Sequence, residues 1–140
     1  MILKLIIDYC ITNNIGTIIV GKNDKWKQEC DMSRFVNQQF VQIPYESFIS
    51  KLKYKAENFG IQFIETEEAY TSGTSFLDNE LPIKENYNKK RRIHRGLFIS
   101  NDGTKINADV NAAYQIMRKV FSGFTKEIVG VYLHPVIINL

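Results

Sequence analysis

Residues 44–65 read PYESFISKLKYKAENFGIQFIE, and this stretch decides the fold. Pro44 is suited to the first turn of a helix, because it lacks a backbone donor that the first turn leaves unused. Apolar side chains then recur every three or four positions, as on the buried face of an amphipathic helix: Tyr45, Phe48, Leu52, Ala56 and Phe59. Gly60 ends the predicted helix, and the run from Ile61 to Glu65 predicts a short strand.

The chain before this stretch predicts a second helix and a second strand. Between Leu3 and Asn13 the apolar residues share one helical face: Leu3, Ile6, Ile7, Cys10 and Ile11. Asn14 and Gly16 then tolerate the left-handed turn that ends a helix. Thr17 to Val20 form a β-branched run, closed by Gly21, that is typical of a strand buried on both faces. A helix that joins two strands through short turns is a crossover, so we predict an α/β fold with parallel strands.

Composition bounds the class of protein. A chain of 140 residues suits one compact domain, and 44% hydrophobic and 12% aromatic residues supply a core. The charged fraction of 24% and the net charge of +3 are ordinary for a globular protein. Cys10 and Cys30 make neither a disulfide framework nor a metal-ligand spacing, which fits a reducing cytoplasm. The apolar opening is too short and too charged to span a membrane, and no signal-peptide cleavage site follows.

The second half of the chain predicts a long excursion and a final helix. Thr71 to Thr104 is polar, basic and rich in turn-forming residues. Asn107 can cap the helix that follows, since its side-chain oxygen can accept from the first free backbone amides. The apolar face of this helix is predicted as Val110, Ala113, Tyr114, Met117 and Phe121. Gly123 ends the helix, and the remaining tail is apolar.

A dense basic cluster lies inside the excursion: Lys89, Lys90, Arg91, Arg92, His94 and Arg95. Such a cluster can follow a phosphate backbone, because each neutralised phosphate releases condensed counterions. A solvated basic loop explains the same residues. Trp26 and Lys27 can likewise stack on a base and pair with a phosphate, or Trp26 can cover the edge of a core.

Acidic side chains follow the second strand and begin the last helix. Asp109 occupies the first helical turn, at the predicted edge of the buried face, where it can bind a hard divalent ion. An acid that stabilises the positive end of a helix explains Asp109 equally simply. Glu67 and Glu68 follow a predicted parallel strand, at the end where α/β proteins bind ligands. Exposed acids are also common at strand ends.

Four segments, taken in order, resemble the C-terminal half of TnpB-family (OrfB-type) transposon-associated proteins, relatives of the type V CRISPR effectors. The segments are IGTIIVGKNDKWKQ (15–28), FVQIPYESFISKLKYKAENFG (40–60), TEEAYTSGTSFLD (66–78) and INADVNAAYQIMRK (106–119). Within them, KLKYKAENFG resembles the family helix that contains a Tyr-Lys-Ala triplet. DVNAAY resembles the final motif, in which an Asp is followed two residues later by Asn and then Ala. The resemblance runs through almost the whole chain.

The resemblance implies a RuvC-like nuclease domain of the RNase H fold. Family members cut DNA that is selected by pairing with a guide RNA, using Mg²⁺ held by three acidic residues. Clustered carboxylates hold ions that activate water and stabilise the leaving oxygen. The last of these acids corresponds to Asp109. Gly21 stands where the family usually has a Glu. The resemblance implies that the corresponding acid is carried by the neighbouring strand here, as Glu68 or as the adjacent Glu67.

Two further departures from the family shape the expectation. Many members carry a zinc ribbon in the excursion, whereas 71–104 contains no cysteine, so we predict no structural zinc. The chain also begins after the strand that carries the leading Asp of the family. We therefore expect a partial RuvC-like domain over 1–122, with an insertion at 71–104 and a C-terminal tail at 123–140.

The expected function is a truncated, nucleic-acid-binding part of a Mg²⁺-dependent, RNA-guided DNA endonuclease, without activity as an isolated chain. DNA and guide RNA are the partners that the resemblance implies. The alternatives are half of a split nuclease completed by an N-terminal chain, and a nuclease-dead DNA- or RNA-binding regulator. The first alternative predicts co-purification with that chain, and the second predicts binding that falls steeply with salt.

Overall fold

The computed structural model describes residues 2–22, 46–94, 96–129 and 133–135. The chain divides into two compact units, Met1–Glu65 and Thr66–Leu140. Trp26 and Lys27, the candidate base and phosphate contacts, lie outside the described residues, as does Arg95 of the basic cluster. None of the helices in the described part of the chain is long and apolar enough to cross a membrane.

The first unit contains two helices and a two-stranded parallel sheet, as the crossover prediction requires. Helix α1 spans Ile2–Thr12, strand β1 spans Thr17–Lys22, helix α2 covers residues 46–58, and strand β2 spans Gln62–Glu67. The amide of Gln62 donates to the Gly16 carbonyl over 2.9 Å, at the start of the β1–β2 pairing. The parallel α/β arrangement is therefore confirmed. The RNase H-like fold stays a prediction, because two strands do not define it.

Helices α1 and α2 pack together through one apolar cluster: Ile7, Cys10, Leu52, Ala56 and Ile61. The turns that end both helices are as predicted. Asn14 has a φ of 54° and Gly60 a φ of 73°, so each occupies the left-handed region that ends a helix. Burial in this cluster also raises the pKa of the Cys10 thiol.

The prediction that β1 is buried on both faces is wrong for the described part of the chain. Every residue from Thr17 to Gly21 is only partly buried. The helical cluster reaches the sheet through the partly buried side chains of Ile18 and Phe63. A continuous β-branched run thus marks strand propensity here without marking complete burial.

The second unit is built around a three-stranded antiparallel sheet and one long helix. Two 3₁₀ turns, Lys84–Asn86 and Lys89–Arg91, precede strand β3, Arg92–His94. Strands β4, Leu97–Ile99, and β5, Lys105–Asn107, complete the sheet in the order β3-β4-β5. Helix α3 follows at once over Ala108–Val120, and a short helix α4 spans Lys126–Val129.

Helix α3 starts at the predicted cap but buries an unexpected face. The side chain of Asn107 accepts from the amides of Asp109 and Val110, over 2.9 and 3.0 Å, which confirms the cap. The predicted apolar face is confirmed only in part, since Val110 and Tyr114 pack against an apolar core cluster whereas Ala113 and Phe121 are exposed. The buried residues of the helix are Ala108, Asn111, Gln115 and Arg118. Three of these are polar, and they contact the excursion at 74–80.

Candidate functional site

Asn111 joins helix α3 to the backbone of the excursion. Its Oδ1 accepts from the amide of Phe76 over 3.0 Å, and its Nδ2 donates to the carbonyl of Thr74 over 2.9 Å. Asn111 and Thr74 are both 0% exposed. The side chain therefore pairs with the excursion as a neighbouring strand would, and it satisfies two backbone groups that burial would otherwise leave without partners.

Gln115 and Arg118 continue this contact along the same face of α3. Gln115 Nε2 donates to the Glu80 carbonyl and to Thr74 Oγ1, each over 2.9 Å. Arg118 Nη1 donates to the Glu80 carbonyl over 2.7 Å, and its Nε donates to the Phe124 carbonyl over 3.0 Å. Burial lowers the pKa of Arg118. The spacing of i, i+4 and i+7 from Asn111 places these side chains in one row, which we call the polar row of α3.

The ring of Phe76 lies beside the polar row of α3 and is held there by two contacts from the same helix. Its ring stacks on Tyr114, with centroids 4.6 Å apart and planes at 15°. The guanidinium carbon of Arg118 lies 4.5 Å from the Phe76 ring centroid, within the range of a cation–π contact. Phe76 itself is 0% exposed. The excursion is thus fixed to α3 by stacking as well as by hydrogen bonds.

Glu80 links the polar row of α3 to the basic cluster. Its Oε1 accepts from the Ser75 amide over 2.9 Å and from Arg91 Nη1 over 2.6 Å. The side chains of Arg91 and Glu80 are only 19% and 15% exposed. The hydrogen bond to Glu80 raises the pKa of Arg91. Arg91 of the predicted phosphate contacts is therefore an ion-paired residue that joins two segments.

The remaining described residues of the basic cluster are exposed on a capped turn. The side chain of Asn88 accepts from the Lys90 amide over 3.0 Å, and the Asn88 amide donates to the Gly73 carbonyl over 2.8 Å. Lys89, Lys90, Arg92 and His94 are exposed. A Cβ at Gly73 would lie 2.4 Å from Cε2 of Tyr87, so any larger residue there would displace the Tyr87 ring. The turn therefore presents its cations from a defined backbone.

The three predicted acidic residues lie in different surroundings. Glu67 accepts from Lys119 and from the Ala69 amide, and the hydrogen bond from Lys119 lowers the pKa of Glu67. Glu68 is partly buried, and its backbone carbonyl accepts from the Thr71 hydroxyl. Asp109 is exposed in the first turn of α3. Its neighbours Ala108 and Val110 are buried and partly buried, whereas the Asp109 side chain itself is on the solvent side of this turn.

The described residues do not by themselves complete the Mg²⁺ site that the family resemblance implies. Within residues 2–22, 46–94, 96–129 and 133–135, no three carboxylate, imidazole or thiol side chains form a group that could hold a metal ion. Lys119, the partner of Glu67, lies ten residues after Asp109, which is about 15 Å along a helix axis. The Glu67 carboxylate is also already ion-paired with the Lys119 ammonium group. We therefore derive no catalytic step through Mg²⁺.

Sequence reasoning missed the residues that organise this unit. Asn111, Gln115 and Arg118 are polar, and because polar side chains are usually exposed, their helical spacing alone does not predict a buried face. The signal that the sequence does contain is a row of three hydrogen-bonding side chains on one helix face, preceded by a turn-rich excursion. Such an excursion contains many backbone groups outside regular structure, and these require partners wherever they are buried.

The second unit thus defines a class of protein module in which an antiparallel sheet and a turn-rich excursion are anchored on one helix. The excursion of this module carries the exposed basic turn. The family model of the Cas12f1-like, TNB domain matches residues 45–116, just over half of the chain. The chain belongs to this family, which links it to the TnpB-related nucleases. No curated protein gives a significant match to the chain.

Proposed function

We propose that this chain is the nucleic-acid-binding part of a TnpB-related, RNA-guided DNA nuclease, and that the basic turn of its second unit contacts phosphates. The observation that carries the proposal is the exposure of Lys89 and Lys90 on a turn capped by Asn88. Arg92 and His94 follow in an exposed strand. Membership of the family supports DNA and a guide RNA as the partners.

Physical chemistry favours phosphate as the ligand of this turn. Consecutive cations repel one another, and a polyanion relieves that repulsion while it releases condensed counterions. Asn88 fixes the backbone of the turn, so less conformational entropy is lost when the lysines bind. A sequence-independent contact of this kind positions a nucleic acid, whereas base pairing with a guide supplies the sequence selectivity.

The proposal assigns Asp109 and Glu68 to the metal-dependent chemistry of the family. On this view each contributes a carboxylate to a Mg²⁺ site that needs further acids from outside the described residues, and the chain alone does not cut DNA. Incubation of the pure chain with Mg²⁺ and DNA tests this part. Cutting that disappears in an Asp109→Ala variant would overturn the expected lack of activity and would establish Asp109 as essential.

The binding proposal is tested by a paired set of charge substitutions. The variant Lys89→Gln/Lys90→Gln should bind a labelled DNA or RNA oligonucleotide more weakly, and the slope of log K against log[salt] should fall by roughly one to two units. The control variant Lys51→Gln/Lys53→Gln removes the same charge from exposed positions of α2. Equal losses in both variants would indicate an effect of net charge only, and no loss in either would reject the proposed turn.

The second candidate, half of a nuclease completed by another chain, is favoured by the exposed apolar face of α1. Ile2, Leu5 and Tyr9 are 48%, 38% and 62% exposed, and they recur at helical spacing. The proposed occupant is a separate chain that carries further strands of a RuvC-like domain. Co-expression should then give a stable complex that Leu5→Lys/Tyr9→Lys disrupts, whereas a soluble monomer unaffected by the co-expressed chain would count against this candidate.

A further inference from the structure

We propose that Glu80 and Arg91 are positioning residues for the basic turn, and that Arg91 acts through Glu80 and does not bind phosphate itself. This inference rests on the proposed binding of nucleic acid by Lys89 and Lys90. It separates the four consecutive cations of the sequence into two roles. Arg91 is committed to the fold of the unit, and the exposed Lys89 and Lys90 are available to a polyanion.

The geometry of Glu80 supports the first role. Both its side chain and its backbone are engaged: Oε1 accepts from Ser75 and Arg91, and the backbone carbonyl accepts from Gln115 and Arg118. The residue is therefore fixed on the excursion and on helix α3 at the same time. A side chain held in this way is a fixed acceptor. Its 2.6 Å ion pair with Arg91 therefore restricts the conformations of the Arg91 side chain as well.

Arg91 is the last residue of the 3₁₀ turn that carries Lys89 and Lys90. When Glu80 holds the guanidinium, the turn is fixed at its C-terminal end, while Asn88 fixes it at the N-terminal end through Gly73. The two lysines lie between these fixed points. Their backbone is consequently held at a constant spacing, which favours simultaneous contact with successive phosphates.

Phosphate binding by Arg91 would require breaking its ion pair. The pair is more than four-fifths buried on both sides, so separation would leave a carboxylate in a poorly solvated place. Lys89 and Lys90 carry no such cost, because they are already exposed. The free energy of binding phosphate is therefore more favourable for the lysines than for Arg91, and Arg91 acts by positioning them.

The two roles predict opposite effects of one substitution. Glu80→Gln removes a negative charge close to the basic turn, so a purely electrostatic site would bind nucleic acid more tightly. If Glu80 positions the turn, the same change weakens binding, because the neutral amide is a poorer acceptor for Arg91. The matched control is Glu85→Gln, which removes the same charge from an exposed position of the preceding 3₁₀ turn.

The experiment measures oligonucleotide affinity by fluorescence anisotropy at several salt concentrations. We expect Glu80→Gln to weaken binding by about threefold or more and to flatten the salt dependence, because fewer phosphates are contacted together. Glu85→Gln should bind as tightly as the parent chain or slightly more tightly. Partial unfolding alone lowers the active fraction but leaves the slope of the folded fraction unchanged, so the slope separates positioning from stability.

Arg91→Gln provides a second measurement, which stays informative if Glu80→Gln does not fold. A phosphate contact made by Arg91 alone predicts a loss of about 0.9 in the slope, the same loss as for Lys90→Gln. Positioning predicts a larger loss than for Lys90→Gln, since several contacts are lost together. Tighter binding by Glu80→Gln, or equal slopes for Arg91→Gln and Lys90→Gln, would overturn the inference. Absence of salt-dependent binding by the parent chain would instead reject the proposed function.

Discussion

Asn111 carries a structural task that regular secondary structure normally performs. It exchanges two hydrogen bonds with the backbone at Thr74 and Phe76, which belongs to a stretch without helix or strand. Asp109, two residues earlier on the same helix, is exposed. At the scale of single residues, the motif DVNAAY thus combines an exposed carboxylate, Asp109, with a buried side-chain amide, Asn111, that binds the backbone of the excursion.

Replacing Asn111 by Ala should destabilise the second unit by about 2–6 kcal/mol, because two buried backbone groups lose their partners at about 1–3 kcal/mol each. A urea titration followed by the amide signals of residues 97–120 measures this free energy of unfolding. The control Asn101→Ala changes an exposed side chain and should cost about 0.5 kcal/mol or less. Equal midpoints for the two variants would show that the Asn111 hydrogen bonds contribute nothing to stability.

At the scale of elements, the sequence predicted local structure better than it predicted burial. The helix at 46–58, its stop at Gly60 and the cap at Asn107 follow from periodicity and from backbone chemistry, which act over a few residues. The buried face of α3 did not follow, because it depends on which groups the excursion presents to the helix. Short-range patterns do not encode that pairing across 35 or more residues.

The same distinction applies to the candidate site. Clustering of cations along the sequence indicated Lys89, Lys90 and Arg92, which are indeed exposed. It also indicated Arg91, whose ion pair with Glu80 arises from a residue eleven positions away. Sequence spacing does not show whether the acids converge: Glu67 is paired with Lys119 and Asp109 is exposed, and a shared metal ion stays a prediction.

The turn between β4 and β5 should respond to acid in a defined direction. Asp102 accepts from the Ser100 hydroxyl and the Thr104 amide, and the hydrogen bonds from Ser100 and then Thr104 lower the pKa of Asp102 to about 2. Because the folded pKa lies below the usual value of about 3.9, this contribution to stability is present above pH ~4 and is lost as the pH falls toward 2.

Carboxyl carbon chemical shifts across this range test that expectation. The Asp102 signal should titrate near pH 2, and the Ser100 amide should move with it. In an Asp102→Asn variant the step in the Ser100 signal should be absent. A midpoint for Asp102 near 4 would contradict the assigned hydrogen bonds.

The excursion should keep its shape without a structural metal. The polar row of α3 and the stacked Phe76 already anchor it, and no group of three possible metal ligands occurs among the described residues. We therefore expect a chelator to leave the melting temperature unchanged. A decrease that added Zn²⁺ reverses would reveal a metal tie, since structural zinc contributes directly to the free energy of folding.

At the scale of the whole molecule, the two compact units contribute different features to the proposed function. The unit up to Glu65 provides a parallel α/β element with an exposed apolar helix face, and the unit from Thr66 provides the basic turn. The family match, over residues 45–116, includes portions of both. Only the second unit is proposed to contact nucleic acid through described residues, and this is the central claim.

That claim is tested most directly by recording amide chemical shifts while an unlabelled oligonucleotide is added to the isotopically labelled chain. The account predicts that, among the described residues, the largest changes fall on 88–94 and diminish as salt is raised. It also predicts that the changes at 88–94 are strongly reduced in Lys89→Gln/Lys90→Gln. Saturable binding that leaves the signals of 88–94 unmoved would contradict it.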